Sequence, residues 1–282
     1  MLLENTMFGR VDKVKTAIDR LKMFEPEDGY CLAFSGGKDS VVIKALAEMS
    51  GVKYKAHFSL TTVDPPELVS FVRNFNDVKI MYPEKSMWKL IIEKGVPPTR
   101  AVRYCCQYLK EDKGEGKTVI TGVRWSESSS RRKWRGKAEI QAAKKRDSII
   151  LNNDNDEARR VMENCTIKGK RVVNPIVEWT TEDVWEFIKG YGVRYCSLYD
   201  EGFERIGCIG CPLASKKARE IDFSRWPKYK TAYIRTFERA IQKRIDRGLP
   251  DRNQTAEELF AWWMEDKYKE IDGQIEMAEQ WR

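Results

Sequence analysis

The sequence predicts an α/β fold with a mainly parallel sheet flanked by helices and with a helical C-terminal extension. The first observation behind this prediction is that apolar, strand-like stretches alternate with helical stretches over residues 30–123. The second is a glycine-rich turn, Ser35-Gly36-Gly37-Lys38-Asp39-Ser40, between the first such strand and the first helix of this region. The third is the basic, helical character of the chain from Lys216 onward.

The positions of the elements follow from the spacing of apolar residues. An amphipathic helix is expected over residues 5–24, because Val11, Val14, Ile18 and Leu21 recur there at helical intervals. Strands are predicted at residues 30–34, 54–60, 78–81 and 118–123. Helices are predicted at residues 41–49, after Glu67 through Phe75, at 87–94 and 228–247, after Thr180 or Thr181, and from Thr255.

The glycine-rich turn has the composition of an anion site. Glycines let the backbone turn its N–H groups toward a ligand, and a helix N-terminus adds a partial positive charge. Lys38 supplies a full charge, and Ser35 and Ser40 supply hydroxyl donors. The turn does not have the spacing of a Walker A loop. A ligand-free β–α turn is the alternative, and the six small or charged residues make us favour phosphate binding.

Loops that follow predicted strands supply further candidates, because ligands bind at the carboxyl ends of parallel strands. Asp64 and Glu67 follow the second strand and are expected to hold a ribose hydroxyl or Mg²⁺, or equally to be helix-start residues. Arg124 and Arg131 follow the fourth strand, and their guanidinium groups match phosphate oxygens. Trp134, in a basic run, could stack on a base, although a solvated face is the commoner explanation.

The charge balance predicts an anionic partner. The formal net charge is +8 and the pI is near 9.0, which fits nucleotide phosphates or a nucleic acid such as tRNA or DNA. The chain has one histidine, His57, which excludes histidine-rich zinc sites and argues against a Ser-His-Asp triad. We expect His57 to be a packed residue of a strand.

Seven cysteines in a chain expected to be cytoplasmic indicate metal or redox ligands rather than disulfides. Cys105-Cys106 and Cys208-x-x-Cys211 form two pairs, and adjacent cysteines suit a [4Fe–4S] cluster better than a single zinc ion. A Cys₄ zinc site, a redox-active C-x-x-C and unliganded buried cysteines remain alternatives. Cys31 is expected to be packed, whereas Cys165 and Cys196 are candidates for an additional ligand or a reactive thiol.

Taken together, these motifs resemble the phosphoadenosine phosphosulfate (PAPS) reductase family, which belongs with the N-type ATP pyrophosphatases to the adenine-nucleotide α-hydrolase superfamily. The resemblance spans roughly residues 28–215. The residues that carry it are the turn Ser35–Ser40, Gly122-Val123-Arg124 with Glu127-Ser128 and Arg131, Asn174-Pro175-Ile176 with Trp179 and Asp183-Val184-Trp185, and Gly207-Cys208 to Cys211.

The resemblance implies a Rossmann-like sheet whose glycine loop grips the phosphates of ATP or of PAPS or adenylyl sulfate (APS), usually with Mg²⁺. It implies catalytic roles for Lys38, Asp39 and Arg124. It also implies that Cys105, Cys106, Cys208 and Cys211 form the [4Fe–4S] signature of APS reductases. The nucleotide-binding residues implied are Ser35, Gly36, Gly37, Lys38, Asp39, Ser40, Asp64, Glu67, Arg124, Glu127 and Arg131.

The chain is therefore expected to have three parts. Residues 1–25 form an N-terminal helix, residues 26–215 a nucleotide-binding domain, and residues 216–282 a basic helical region. Within the second part, residues 132–172 are polar and predict an insertion or lid. No apolar run has membrane-spanning length, which predicts a cytoplasmic location.

Sulfonucleotide reductases of the family use a cysteine near the C-terminus, and no cysteine follows Cys211 in this sequence. We therefore expect ATP-dependent adenylation and sulfur transfer to a nucleic acid or another acceptor, with a sulfur-donor protein and a homodimer as further expectations. The alternatives are a PAPS or APS reductase that uses Cys165 or Cys196, and a non-catalytic nucleotide- or nucleic-acid-binding module.

Overall fold

The computed structural model describes residues 2–7, 9–111, 116–142, 144–167, 169–249 and 255–265. The chain divides into two compact units, and each is assembled from separate stretches of sequence. The first, here called the sheet unit, comprises Met1–Ser59, Pro66–Met81 and Lys113–Ile206. The second, the helical unit, comprises Leu60–Pro65, Tyr82–Asp112 and Gly207–Arg282. In the described part of the chain, none of the helices combines the length and the apolar character that a membrane span requires.

The sheet unit begins with an antiparallel hairpin of β1 (Leu3–Thr6) and β2 (Gly9–Asp12), followed by helix α1 (Lys13–Met23). The helix predicted over residues 5–24 therefore begins later than expected. It begins at Lys13 because the Asp12 carboxylate accepts hydrogen bonds from the first-turn N–H groups and caps the helix. Val11, which contributed to the helical pattern, lies in β2.

Within the described ranges, seven strands form the main sheet of this unit, in the order β5-β4-β3-β6-β9-β7-β8. The five strands from β5 to β9 in that order are parallel, and β7 and β8 are antiparallel to their neighbours. This mainly parallel sheet confirms the predicted fold class. The strands are β3 (Tyr30–Ala33), β4 (Tyr54–Ser59), β5 (Val78–Met81), β6 (Thr118–Ile120), β7 (Ala138–Ala142), β8 (Ile149–Leu151) and β9 (Gly169–Val173).

Helices of the sheet unit connect these strands and bury their apolar residues. Helix α2 packs against α1 and α8, and its Val42, Ile43 and Leu46 side chains are fully buried. Strand β3 is buried along most of its length, as expected for a strand inside a parallel sheet. The helices are α2 (Lys38–Ser50), α3 (Pro66–Arg73), α6 (Ser129–Trp134), α7 (Asp156–Asn164) and α8 (Thr181–Gly190).

The polar segment 132–172 contributes β7, β8, α7 and most of β9 to the sheet unit. Its polarity is accommodated by buried pairing: Glu139 of β7 accepts hydrogen bonds from Arg135 (2.8 Å) and from the Asn174 amide (2.6 Å). Arg20 pairs with Asp154 at 2.7 Å. These contacts explain why so polar a stretch supplies sheet strands, and its role as a lid stays a prediction.

The helical unit is built on an aromatic core. Trp263 is fully buried, packs on Tyr233 at 4.9 Å between ring centroids, and donates its indole N–H to Pro98 O at 2.7 Å. Trp88 meets Tyr233 edge to face at 4.9 Å. The C-terminal aromatic residues are thus core residues of this unit. Its helices are α4 (Met87–Lys94), α5 (Tyr104–Cys106) with a π-helical continuation (Gln107–Glu111), α9 (Lys216–Arg225), α10 (Pro227–Asp246) and α11 (Ala256–Glu265).

Candidate functional site

The glycine turn of the sheet unit lies between β3 and α2, as predicted, and its glycines have different reasons to be there. Gly36 has φ +73°, and a Cβ at this position would lie 2.6 Å from Cδ1 of Leu68 and 3.0 Å from Cγ2 of Val72. Gly37 is the N-cap of α2 and, as a glycine, has no side chain with which to bond the first turn of the helix. The Ser40 hydroxyl donates to Gly37 O at 2.8 Å. The turn is therefore held tight by its own backbone and hydroxyl.

Lys38, the first residue of α2, is engaged through its backbone and its side chain. Its N–H donates to the Tyr199 hydroxyl oxygen at 2.8 Å, and its ammonium donates to Glu204 O at 3.1 Å. The ammonium also lies 5.7 Å from the centre of the Tyr199 ring. Burial lowers the pKa of Lys38, and the positive charges of Arg124 and Arg205 act in the same direction.

Asp39 and Arg124 form an ion pair beside this turn. The Arg124 side chain is 2% exposed, and its Nε donates to Oδ1 of Asp39 at 2.7 Å. Its Nη1 donates to the hydroxyls of Ser126 (2.9 Å) and Thr181 (3.3 Å). Gly122 permits the close approach, because a Cβ there would lie 2.9 Å from Cβ of Asp39. Arg124 thus buttresses Asp39, while its predicted roles in phosphate binding and catalysis stay predictions.

Arg205 lies close enough to both Lys38 and Arg131 for its positive charge to lower their pKa values. Burial lowers the pKa of Arg131, and the neighbouring charges of Arg205 and Arg135 lower it further. The Glu127 carboxylate contacts the Arg131 guanidinium within helix α6 and the turn before it. We define Lys38, Arg131 and Arg205 as the cation cluster. Its members repel one another electrostatically, which favours a bound anion.

The sequence patterns did not predict two residues of this arrangement. Tyr199 and Arg205 reach the glycine turn from more than 160 positions along the chain, and neither has a local spacing that predicts a ligand. The one indication in the sequence is that Arg205 lies two positions before Gly207-Cys208, a motif that resembles the PAPS reductase family.

The two acidic candidates of the second loop fall in different units. Asp64 belongs to the helical unit, where its carboxylate accepts the Thr61 N–H at 2.6 Å and where burial raises its pKa. Glu67 belongs to the sheet unit and lies in the first turn of α3. Local hydrogen bonding accounts for Asp64 as a turn residue, and the predicted ribose or Mg²⁺ roles of both residues stay predictions.

The four cysteines predicted as metal ligands all lie in the helical unit. The pKa of Cys105 is raised by its contact with Cys106 and by burial, and the charges of Cys208 and Cys211 add to this effect. The Cys208 thiol donates to the Thr61 hydroxyl at 3.5 Å. The four thiols are therefore close enough to influence one another's ionisation.

The surroundings of these thiols fit a negatively charged, thiolate-ligated group. The pKa of Lys110, on the π-helical turn, is raised first by the negative charge of Cys208. Gly210 has φ +70°, and a Cβ there would lie 2.6 Å from the Phe223 ring, so glycine shapes the Cys208–Cys211 turn. Among the described residues, no three His, Cys, Asp or Glu side chains converge to hold one metal ion. A cluster whose irons each take one thiolate does not require that convergence.

The other three cysteines lie in the sheet unit. Cys31 is buried in β3, as expected, and its sulfur lies 3.7 Å from the imidazole of His57 in β4. Burial raises the pKa of Cys31 and of Cys196. Cys165 ends helix α7. The structure thus gathers the four predicted ligands in one unit and leaves Cys165 and Cys196 in the other.

Parts of this chain are similar to known proteins. An uncharacterised protein of Methanocaldococcus jannaschii is 32% identical over 193 residues, which are 64% of this chain and 41% of the relative. An adenosine 5′-phosphosulfate reductase of Neisseria meningitidis is 42% identical over 59 residues, or 21% of this chain and 24% of the reductase. The chain thus spans less than half the length of these curated relatives.

A solved PAPS reductase from Candida auris is similar over 68% of this chain and 88% of its own, with 16% identity and a TM-score of 0.43. The family model of the phosphoadenosine phosphosulfate reductase domain matches residues 29–214. Those residues contain the glycine turn, the cation cluster and all four cysteines of the helical unit. The chain therefore belongs to the phosphoadenosine phosphosulfate reductase domain family.

Proposed function

We propose that this chain binds ATP through its phosphates at the glycine turn and adenylates an oxygen of an acceptor with release of pyrophosphate. A sulfur nucleophile from a donor protein then replaces that oxygen, and AMP leaves. The observation that carries the proposal is the cation cluster of Lys38, Arg131 and Arg205 beside a helix N-terminus. Two carboxylates face these three cations: Glu127 pairs with Arg131, and Asp39, which is shared with Arg124, lies 3.8 Å from the Lys38 ammonium. A polyphosphate would relieve the repulsion within the cluster, whereas a neutral ligand would not.

The residues of the turn then have separable roles. Gly36 supplies the left-handed conformation and the close packing on Leu68 that the turn requires, and the Lys38 ammonium offsets charge on the phosphates. Arg124 keeps Asp39 in place from a buried position. Fixed donors aimed at phosphate oxygens stabilise the charge that develops when an acceptor oxygen attacks the α-phosphorus and pyrophosphate leaves. Mg²⁺ would enter with the polyphosphate and offset part of its charge.

We further propose that Cys105, Cys106, Cys208 and Cys211 hold a [4Fe–4S] cluster. The donor set fits, because four thiols of one unit influence one another and Lys110 supplies a nearby positive charge. When bound, such a cluster would supply redox or sulfur-handling chemistry. The protein's own part is to hold the thiolates apart on two segments and to balance their charge with Lys110.

Sulfonucleotide reduction is the second candidate, and the four-cysteine arrangement favours it. The relative from Neisseria meningitidis, which matches this chain over 59 residues, carries the name adenosine 5′-phosphosulfate reductase. In this case the nucleotide would be the substrate, and the same cation cluster would bind its phosphate and sulfate groups. The two candidates differ in product: pyrophosphate in the first and sulfite in the second.

The deciding experiment measures both products with the full chain. ATP and Mg²⁺, with and without RNA or DNA, are expected to yield pyrophosphate. PAPS and APS with thioredoxin are expected to yield no sulfite. Lys38→Ala should abolish pyrophosphate release, whereas Lys44→Ala should not, because Lys44 of the same helix pairs instead with Glu48 and Asp77. Sulfite without pyrophosphate would establish the reductase, and nucleotide binding without either product a non-catalytic module.

The cluster has its own test. Anaerobically purified protein is expected to be brown and to carry about four iron atoms per chain, as Cys₄ clusters do. Serine at Cys105 or Cys208 should lower the iron content, whereas Cys165→Ser should leave it unchanged. Colourless protein with one zinc per chain would overturn the cluster and leave nucleotide binding to be judged separately.

A nucleic acid is our proposed acceptor, and helix α6 supports it. Arg132 and Lys133 are exposed, Trp134 is 38% exposed, and the Lys133 ammonium lies 5.4 Å from the Trp134 ring centre. Exposed cations beside an aromatic ring bind single strands by charge and stacking. Binding of single-stranded RNA should weaken steeply with salt and should weaken further in Trp134→Ala. Binding that is insensitive to both would exclude this surface.

A further inference from the structure

One segment of the sheet unit occupies the donors with which Lys38 would bind an anion. The Tyr199 hydroxyl oxygen accepts the Lys38 N–H at 2.8 Å, and Glu204 O accepts the Lys38 ammonium at 3.1 Å. A Cβ on Gly37 would lie 3.4 Å from the same hydroxyl oxygen. The Tyr199 oxygen therefore sits directly over the Gly37–Lys38 peptide, where a helix N-terminus would receive an oxyanion.

The hydroxyl is a replaceable acceptor. Burial raises the pKa of Tyr199 to about 12, so the phenol is neutral at physiological pH. A neutral phenol oxygen is a weaker acceptor than a phosphate oxygen, because hydrogen bonds to ionised groups are about twice as strong. One N–H cannot bond both oxygens with good geometry. A phosphate that reaches Lys38 must therefore displace the hydroxyl.

We propose that Tyr199 is an exchangeable ligand of the anion site: its hydroxyl oxygen holds the place of a phosphate oxygen on the Lys38 N–H and leaves when the anion binds. The Glu204 carbonyl gives up the ammonium of Lys38 in the same exchange. The inference rests on the proposed function for the identity of the anion. It adds that part of the binding free energy is used to release Tyr199, which lowers the apparent affinity.

The test is Tyr199→Phe, which removes the competing oxygen and retains the ring. Inorganic pyrophosphate is expected to bind the full-length variant roughly two- to tenfold more tightly than the wild-type chain, the equivalent of one ordinary hydrogen bond. Tyr195→Phe is the matched control. Tyr195 packs edge to face on the same Trp185 ring, at 5.3 Å against 5.2 Å for Tyr199, but its hydroxyl contacts Asp200. The Tyr195→Phe variant should bind pyrophosphate as tightly as the wild-type chain does.

A second measurement needs no variant. Hydrogen exchange of the Lys38 amide in the wild-type chain should slow when pyrophosphate is bound, because a charged acceptor replaces the phenol oxygen. Unchanged exchange at saturation would overturn the inference. So would a Tyr199→Phe protein that binds pyrophosphate equally or less tightly, which is what a merely structural tyrosine would give.

The outcomes separate this inference from the proposed function. Tighter pyrophosphate binding by Tyr199→Phe supports the exchange whatever the result with ATP. If ATP binds no better than pyrophosphate, the adenosine group adds nothing to binding, and the adenine-nucleotide part of the proposed function is overturned. ATP turnover without tighter binding by the variant would leave the proposed function standing and overturn the exchange. If pyrophosphate binds neither protein, the anion site and the exchange are both overturned.

Discussion

Gly36 and Gly37 are neighbours in sequence, but the structure constrains them differently. Gly36 has positive φ, and any Cβ would clash with Leu68 of α3. Gly37 has φ −77°, which any residue adopts, and a Cβ there would make an ordinary contact with Tyr199. The conformational requirement of the turn therefore falls on Gly36.

We expect Gly36→Ala to destabilise the protein more than Gly51→Ala. Both positions have φ +73°, but nothing lies within 4 Å of a Cβ at Gly51. Gly51→Ala should cost about 1 kcal/mol for the left-handed conformation alone. Gly36→Ala should cost more because of the clash, and Gly37→Ala close to nothing. Urea denaturation of the three variants provides the measurement, and equal losses at positions 36 and 51 would contradict the steric argument.

Arg124→Ala should destabilise the sheet unit by about 3 kcal/mol, because it opens a buried void and removes the 2.7 Å ion pair of Asp39, leaving the longer 3.8 Å contact with Lys38. Arg159→Ala is the control, since Arg159 pairs with Asp156 and Glu163 on an exposed face. Its effect should be much smaller, because exposed ion pairs contribute little to stability. Denaturant unfolding checks both. A loss of similar size for the two arginines would mean that burial of Arg124 does not strengthen its pairing with Asp39.

Asp222 gives the helical unit a pH dependence. Burial raises its pKa to about 6 from an ordinary value of 3.8, although its carboxylate accepts the Gly210 N–H at 3.0 Å. Because the folded-state pKa is the higher one, its contribution to stability is fully present below about pH 4 and is lost as the pH rises through about 6.

Asp222→Asn retains an acceptor for Gly210 and removes the titration. The variant should gain on the order of 1 kcal/mol over the wild-type chain at pH 7, allowing for solvent screening of the partly exposed carboxyl, and much less at pH 4. Thermal unfolding between pH 4 and pH 8 measures the difference. A constant difference across this range would show that Asp222 does not titrate as the structure indicates.

The sequence predicted those site residues whose role depends on local chain geometry. Lys38, with its glycines, occupies the strand-to-helix turn that was expected, since strand, glycines and helix are adjacent in sequence. Tyr199 and Arg205 were not predicted, because only tertiary folding brings them to the turn. Arg124 was predicted, but its burial depends on contacts with Asp39 and Thr181, which lie 85 and 57 positions away in sequence.

At the scale of elements, the parallel strands were the predictable part of the fold. Strands β3 to β6 are short apolar runs between helices, and their positions matched the expectation to within a few residues. Strand β7 was not predicted, because Glu139 and Gln141 interrupt its apolar residues, and Glu139 accepts a hydrogen bond from Asn174, 35 positions away. Strand β8 was not predicted, because its three apolar residues, Ile149–Leu151, are too few to form a recognisable pattern. Helix α1 was predicted too long, since the capping role of Asp12 overrides the apolar spacing before it.

At the scale of the whole molecule, the interleaving of the two units has a testable result. A chain that ends at Ile206 keeps residues 60–65 and 82–112 of the helical unit but loses α9, α10 and α11. Trp88, Leu90 and Ile91 of α4 would lose helix α10, against which α4 packs. Exposed apolar surface of this kind promotes aggregation.

We therefore expect the chain ending at Ile206 to be largely insoluble and to bind a hydrophobic dye, whereas a chain ending at Glu265, which retains α9 to α11, should stay in solution. The soluble fraction after expression and dye fluorescence are the measurements. A soluble chain that ends at Ile206 and unfolds cooperatively would show that the sheet unit folds independently of its partner segments.

The four cysteines lie on two distant segments of the chain. They are therefore synthesised at different times. Cys105 and Cys106 leave the ribosome about 100 residues before Cys208 and Cys211, which is roughly 5–20 s at ordinary translation rates. All strands of the sheet unit's main sheet are translated within that interval or before it. During it the nascent chain carries an adjacent pair of thiols without their later partners. A group that needs all four thiolates can therefore be inserted only after the sheet has been synthesised, and until then the first pair of thiols must be protected from oxidation.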